Sequence, residues 1–153
     1  MSGPPGEYLP RDEKALELSG PGCAGPVSRK ETDMTGQTYP EYHSHLRNLL
    51  GKLGKELQGP MTGFGQLHKA ATADGALSAK IKELIALAIA VSARCEGCIA
   101  FHTHSALKAG ASRPEILEAL GVAILMGGGP SAMYACEALE ALEQFQAVSA
   151  AKS

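Results

Sequence analysis

From Glu41 onward the apolar residues recur at helical spacing. Leu46, Leu49, Leu50, Leu53 and Leu57 fall three and four residues apart, which predicts an amphipathic helix. Gly59-Pro60 is expected to end it, and Asp74-Gly75 to break a second short helix over about 61 to 72. Ser78 has the position of an N-cap before a long apolar helix reaching about Arg94. The run from Leu84 to Val91 is nearly all apolar, so this helix is expected at the centre, buried on most sides. A strand is the competing reading of that run, and the segment's length and alanines favour helix. A further helix runs from Cys98 to about Ala109, with Gly110 as its C-terminal cap. Ser112 and Pro114 open the next, to about Met126. Gly127-Gly128-Gly129-Pro130 is a break, and a last helix spans about Ser131 to Gln146, with the tail over 148–153 fraying. The fold class is all-α: a bundle of about six helices over 41–147, with no convincing strand.

Residues 1–40 differ. Six of the nine prolines lie there, glycines are frequent, and no apolar period is sustained. This reads as an extended or disordered arm, a plain leader or one able to wrap a neighbouring subunit.

Composition narrows the picture. The 153 residues suit one domain. Hydrophobic residues make up 44% but aromatics only 5%, so alanine, leucine and isoleucine must fill the core, which favours closely packed helices. A net charge of -2 without a basic run argues against nucleic acid or an anionic membrane as partner. No run of eighteen apolar residues predicts a transmembrane helix and no signal-peptide layout opens the chain, so the cytoplasm is the default location. Among four cysteines in such a chain, a close pair points to redox chemistry or metal, not a disulfide scaffold.

That pair is Cys95-Glu96-Gly97-Cys98, followed by His102. The spacing lets two sulfurs meet at a helix start, where the helix's partial positive charge favours thiolate. His102, four residues after Cys98, shares its helical face and can take the thiol proton or stabilise the thiolate. This favours Cys98 as nucleophile and Cys95 as its disulfide partner, although in other Cys-x-x-Cys proteins the first cysteine attacks. His104 lies about 200° around the helix from His102 and belongs to the surface, the core or an interface. Zinc is the competing chemistry, with Cys95, Cys98 and His102 as ligands and a fourth from His43, His45, His68, Cys23 or Cys136. No second Cys-x-x-Cys or His-x-x-x-His pair is present to close it, so neither a resident metal nor a cofactor is expected. Two unreactive core cysteines are the bland alternative. Cys136 reads as a packing residue, and Tyr134 and Met126 are candidates to line a pocket near the thiols.

Glu83, Cys95, Cys98 and His102 stand twelve, three and four residues apart, and this string resembles the signature of AhpD-like proteins of the carboxymuconolactone decarboxylase superfamily. The text from Cys98 through Ala111 and Met126-Gly-Gly-Gly-Pro130 is similar too, so the resemblance covers roughly residues 60 to 146. It implies an all-helical homo-oligomer, a trimer or hexamer, with thiol-dependent peroxidase or disulfide-exchange activity. It implies that Cys98 attacks a hydroperoxide and that Cys95 resolves the sulfenic acid to a disulfide. His102 and Glu83 would relay protons, and a dithiol donor such as a lipoyl or thioredoxin-like protein would reduce the disulfide. The best-known members carry another histidine inside the Cys-x-x-Cys loop, where this chain has Gly97. Without the resemblance, Glu83 would read as a capping or surface carboxylate. The decarboxylase branch, whose members typically lack the paired cysteines, is a second enzymatic reading, and a non-catalytic, redox-sensing helical oligomer a third.

Overall fold

The computed structural model describes residues 36–151. Most of the expected arm, with Cys23, lies outside the described residues. Five helices follow one another: α1 (Tyr39–Glu56), α2 (Gln58–Thr72), α3 (Ala79–Ser92), α4 (Glu96–Lys108) and α5 (Arg113–Ala150), with no strand among the described residues.

The helix starts follow local chemistry. Thr38 caps α1 and Ser112 caps α5, each exchanging hydrogen bonds with a glutamate three residues on, Glu41 and Glu115. The Ser78 hydroxyl accepts from Ile81 N at 3.3 Å, as expected for the cap of α3. Lys80 Nζ reaches Glu115 Oε1 at 2.6 Å and ties the start of α3 to that of α5.

Two boundaries differ from the sequence reading. Gly59-Pro60 does not end α1; it sits in the first turn of α2, where a proline's missing N–H has no intrahelical partner to lose. The break at Gly127 to Pro130 is a kink inside α5, concentrated at Gly128 (φ 65, ψ -152). The sixth helix expected from sequence is thus the second arm of α5, which runs on past Gln146 to Ala150. By length and composition α5 would also pass as a membrane span. Here it is bent, and its Ile116, Leu120, Ala138 and Leu142 are buried in the bundle.

The core lies where α3, α4 and α5 pack on one another. Leu87, Val91, Ile99, Ala106, Ile116 and Leu142 are all fully covered there. Ala123, Ala135, Ala138 and Ala141 lie on the buried face of α5, and such small side chains let helix axes approach closely. The expectation that α3 is buried on most sides needs correction. Glu83, Leu84, Leu87, Ala90 and Val91 face inward, while Ile81, Ile85 and Ile89 are exposed. α1 lies across α4 and α5, fixed by Tyr39 and His43; its Leu49, Leu50 and Leu53, and Leu57 just past its end, stay exposed. α2 packs along α1 and α3, and none of its residues is buried.

Candidate redox site

The site is built at the corner between α3 and α4. α3 ends in a Schellman motif: Arg94 N donates to Val91 O and Cys95 N to Ala90 O, each at 3.1 Å. The left-handed residue that such an ending requires is Arg94 (φ 57), not the usual glycine, so no glycine marked this stop in the sequence. The motif turns the chain sharply and delivers Cys95 as the N-cap of α4.

Cys95 and Cys98 are joined in a disulfide, with Cα atoms 5.2 Å apart. Cys98 N donates to Cys95 Sγ at 3.2 Å. This contact and the helix N-terminus favour negative charge on Cys95, whereas His102 shares a helical face with Cys98. The two sources of thiolate stabilisation therefore favour different sulfurs, which the sequence argument for Cys98 had not separated.

Glu83 is brought to the site by tertiary packing. Its carboxylate, on the second turn of α3, is buried, and Oε2 lies 2.8 Å from His102 Nδ1. This pairing holds the ring's Nδ1 edge against α3, so Nε2 is the ring nitrogen that Glu83 does not engage. A buried carboxylate in an apolar helix needs such a partner. On its other side Glu83 borders an open cleft of about 320 Å³, shared with Thr72, Ser105 and Lys108.

Gly97 meets α1. A β-carbon there would stand 3.0 Å from Leu46 Cδ1 and 3.9 Å from Tyr42 Oη. α1 thus occupies the space that a side chain in the loop would need, a steric reason for glycine at this position. α1 is held there by its first residue: Tyr39 N donates to Gln144 Oε1 at 2.6 Å and Tyr39 Oη to Glu137 Oε2 at 3.1 Å. Burial, then the Glu137 charge, pushes the Tyr39 phenol far above its ordinary range, so it remains a neutral donor.

The other candidates scatter. His104 packs against His43 (ring centroids 4.5 Å apart) and Phe145 (5.3 Å), a core role away from His102. Burial, then the neighbouring cations and, for His43, the facing His104, lowers the pKa of both histidines. Cys136 is exposed, which corrects its reading as a packing residue. Met126 is 79% exposed on the outside of α5, and nothing places it or Tyr134 against the thiols. Of the possible fourth zinc ligands, His68 alone among the described residues stacks on His102, with centroids 6.4 Å apart and planes 26° apart. In this disulfide form no group of three or more His, Cys, Asp or Glu among the described residues is arranged to hold a metal.

Residues 60–141 match the carboxymuconolactone decarboxylase family. An uncharacterized protein of Cupriavidus necator is 46% identical over 96 residues, 63% of this chain and 85% of its own length. Uncharacterized protein 4 in the cox locus of Paracoccus denitrificans is 40% identical over 81 residues, 53% of this chain and 73% of its own. The crystal structure of an apo family protein from Legionella pneumophila superposes with a TM-score of 0.68 at 52% identity, over 70% of this chain and 96% of that one. A Thermotoga maritima family protein, for which a part in an antioxidative response has been suggested, superposes with a TM-score of 0.67 at 28% identity, over 72% and 95%.

Proposed function

The chain belongs to the carboxymuconolactone decarboxylase family, and from that premise we propose that it is an AhpD-like thiol-dependent hydroperoxidase and disulfide oxidoreductase. The observation that carries the reading is the Cys95–Cys98 disulfide at the start of α4, with the Glu83–His102 pair one turn along. The branch acting on a lactone acid needs no such sulfur pair.

In the proposed cycle the Cys98 thiolate attacks the distal oxygen of a hydroperoxide. An S–O bond forms, the O–O bond breaks, and the alcohol leaves with the proton that Cys98 gave to His102. The Cys95 thiol then attacks the Cys98 sulfenic acid, an S–S bond forms and water leaves. A dithiol donor of the lipoyl or thioredoxin-like class reduces that bond and becomes a disulfide itself. Glu83 orients His102 and stabilises its charged form.

We also propose that the working form is a homo-oligomer, a trimer or hexamer, in the cytoplasm. Support comes from apolar side chains that a lone chain leaves in water: Phe64 and Leu67 on α2, Ile89 on α3, and Leu125 and Met133 on α5 are each more than half exposed.

The test is a thiol titration of the reduced protein before and after one equivalent of an alkyl hydroperoxide. Loss of two thiols per chain, abolished by Cys98→Ser, is the expected outcome. Unchanged thiols with every hydroperoxide tried, alongside turnover of a muconolactone acid, would overturn the reading.

A further inference from the structure

Glu83, His102 and His68 form a series from the inside of the protein outward. The Glu83 side chain is 8% exposed, that of His102 is 22% exposed, and His68 stands in solvent on α2. Glu83 holds His102 by Nδ1, so a buried carboxylate backs the imidazole on one edge. The ring of His68 lies nearly parallel to that of His102, centroids 6.4 Å apart. Rings at this separation do not bond directly, and the gap is of a size that one water can bridge. The Cys95–Cys98 loop itself carries no imidazole: Gly97 stands at that position, close under Leu46.

We propose that His68 is the outer group of the site's proton path, exchanging protons between His102 and solvent. This rests on the function proposed above, in which His102 serves the sulfurs. His68 does not touch sulfur and acts only through His102. When a dithiol reduces the disulfide, the S–S bond breaks and a new one forms on the donor. The two cysteine sulfurs take up two protons and the donor sheds two to solvent. The proton for Cys98 comes from His102, which must be recharged from outside; Glu83 is buried, and His68 is the exposed side chain stacked on the ring. Imidazole is suited to this exchange, because one ring nitrogen can accept a proton while the other donates one.

The test measures reduction of the oxidised protein by dithiothreitol in weakly buffered solution near neutral pH. It compares the wild-type chain with His68→Ala and His68→Gln, each checked for intact helicity. We expect His68→Ala to slow reduction by about tenfold or more. Added imidazole should restore the rate saturably, by filling the space with a diffusible proton carrier. His68→Gln, which covers His102 but carries no proton, should be as slow as His68→Ala. A His68→Ala rate equal to wild type overturns the proposal. So does a slow His68→Ala that imidazole does not rescue, since that is a structural defect, or a His68→Gln that reacts like wild type. No peroxide enters this measurement, so a failure of the peroxidase reading shows separately, as thiols that survive hydroperoxide.

Discussion

Glu83 Oε2 and His102 Nδ1 lie 2.8 Å apart across nineteen residues of chain, because α3 and α4 form a hairpin folded at Arg94. Glu83→Gln keeps a hydrogen-bonding group at the same reach and removes the charge. The imidazolium form of His102 then loses its counter-charge. We expect alkylation of Cys98 in the reduced protein at neutral pH to slow by roughly tenfold to a hundredfold, with the fold intact. Glu83→Ala also strands the ring nitrogen and should lower stability by about 1–3 kcal/mol in urea unfolding. Wild-type alkylation in Glu83→Gln would sink the relay.

Opposed influences at the two sulfurs give a second test. If the face shared with His102 decides, Cys95→Ser treated with hydroperoxide accumulates a sulfenic acid at Cys98, detectable with dimedone. Cys98→Ser then consumes no peroxide. If the N-cap contact of Cys95 with Cys98 N decides, the two outcomes exchange. Mass spectrometry of the labelled chains distinguishes them.

The approach of Leu46 to Gly97 makes the loop sensitive to bulk. Gly97→Ala places a methyl 3.0 Å from Leu46 Cδ1, the end of a mobile side chain, so the loss should stay within about 1 kcal/mol. Gly97→His should lose more, about 1–3 kcal/mol, and adding Leu46→Ala should return part of it. A double-mutant cycle by chemical denaturation measures the coupling; additive losses would show that α1 does not limit the loop.

The kink in α5 rests on Gly128, whose φ of 65 and ψ of -152 lie where only glycine is comfortable. Gly128→Ala should cost about 1–3 kcal/mol. Gly129→Ala, with nothing within 4 Å of the added carbon, should be neutral or slightly stabilising. Thermal melts of the pair check the contrast.

His43 and His104 make stability depend on pH. Both are held below the ordinary histidine range by burial first. Then His104 and Arg47 act on His43, and Lys108 and Arg47 on His104. As pH falls below the unfolded value of about 6.5, the unfolded chain takes up protons that the folded chain refuses, so stability drops. Above that value their contribution is fully present. Melting temperatures should fall between pH 7.5 and 5.5, and His104→Phe should flatten the fall. An unchanged slope in His104→Phe would place the dependence elsewhere.

What the sequence determined by itself was local. Ser78 and Ser112 are legible as caps because capping is a contact between near neighbours, and Cys95, Cys98 and His102 fall within about two helical turns. Gly127 to Pro130 marks a bend because glycine and proline constrain the backbone wherever they occur. The glutamate was legible only through its register in the family signature, since a lone glutamate early in a helix looks the same whether it faces water or a histidine. Arg94 hid the turn, because a non-glycine residue in the left-handed region leaves no compositional mark. Only the tertiary structure brought Glu83 onto His102, set Leu46 against Gly97 and stacked His68 over the site. These contacts join residues distant in sequence, and they are selected by how α1, α2, α3 and α4 pack rather than by the propensity of any one segment.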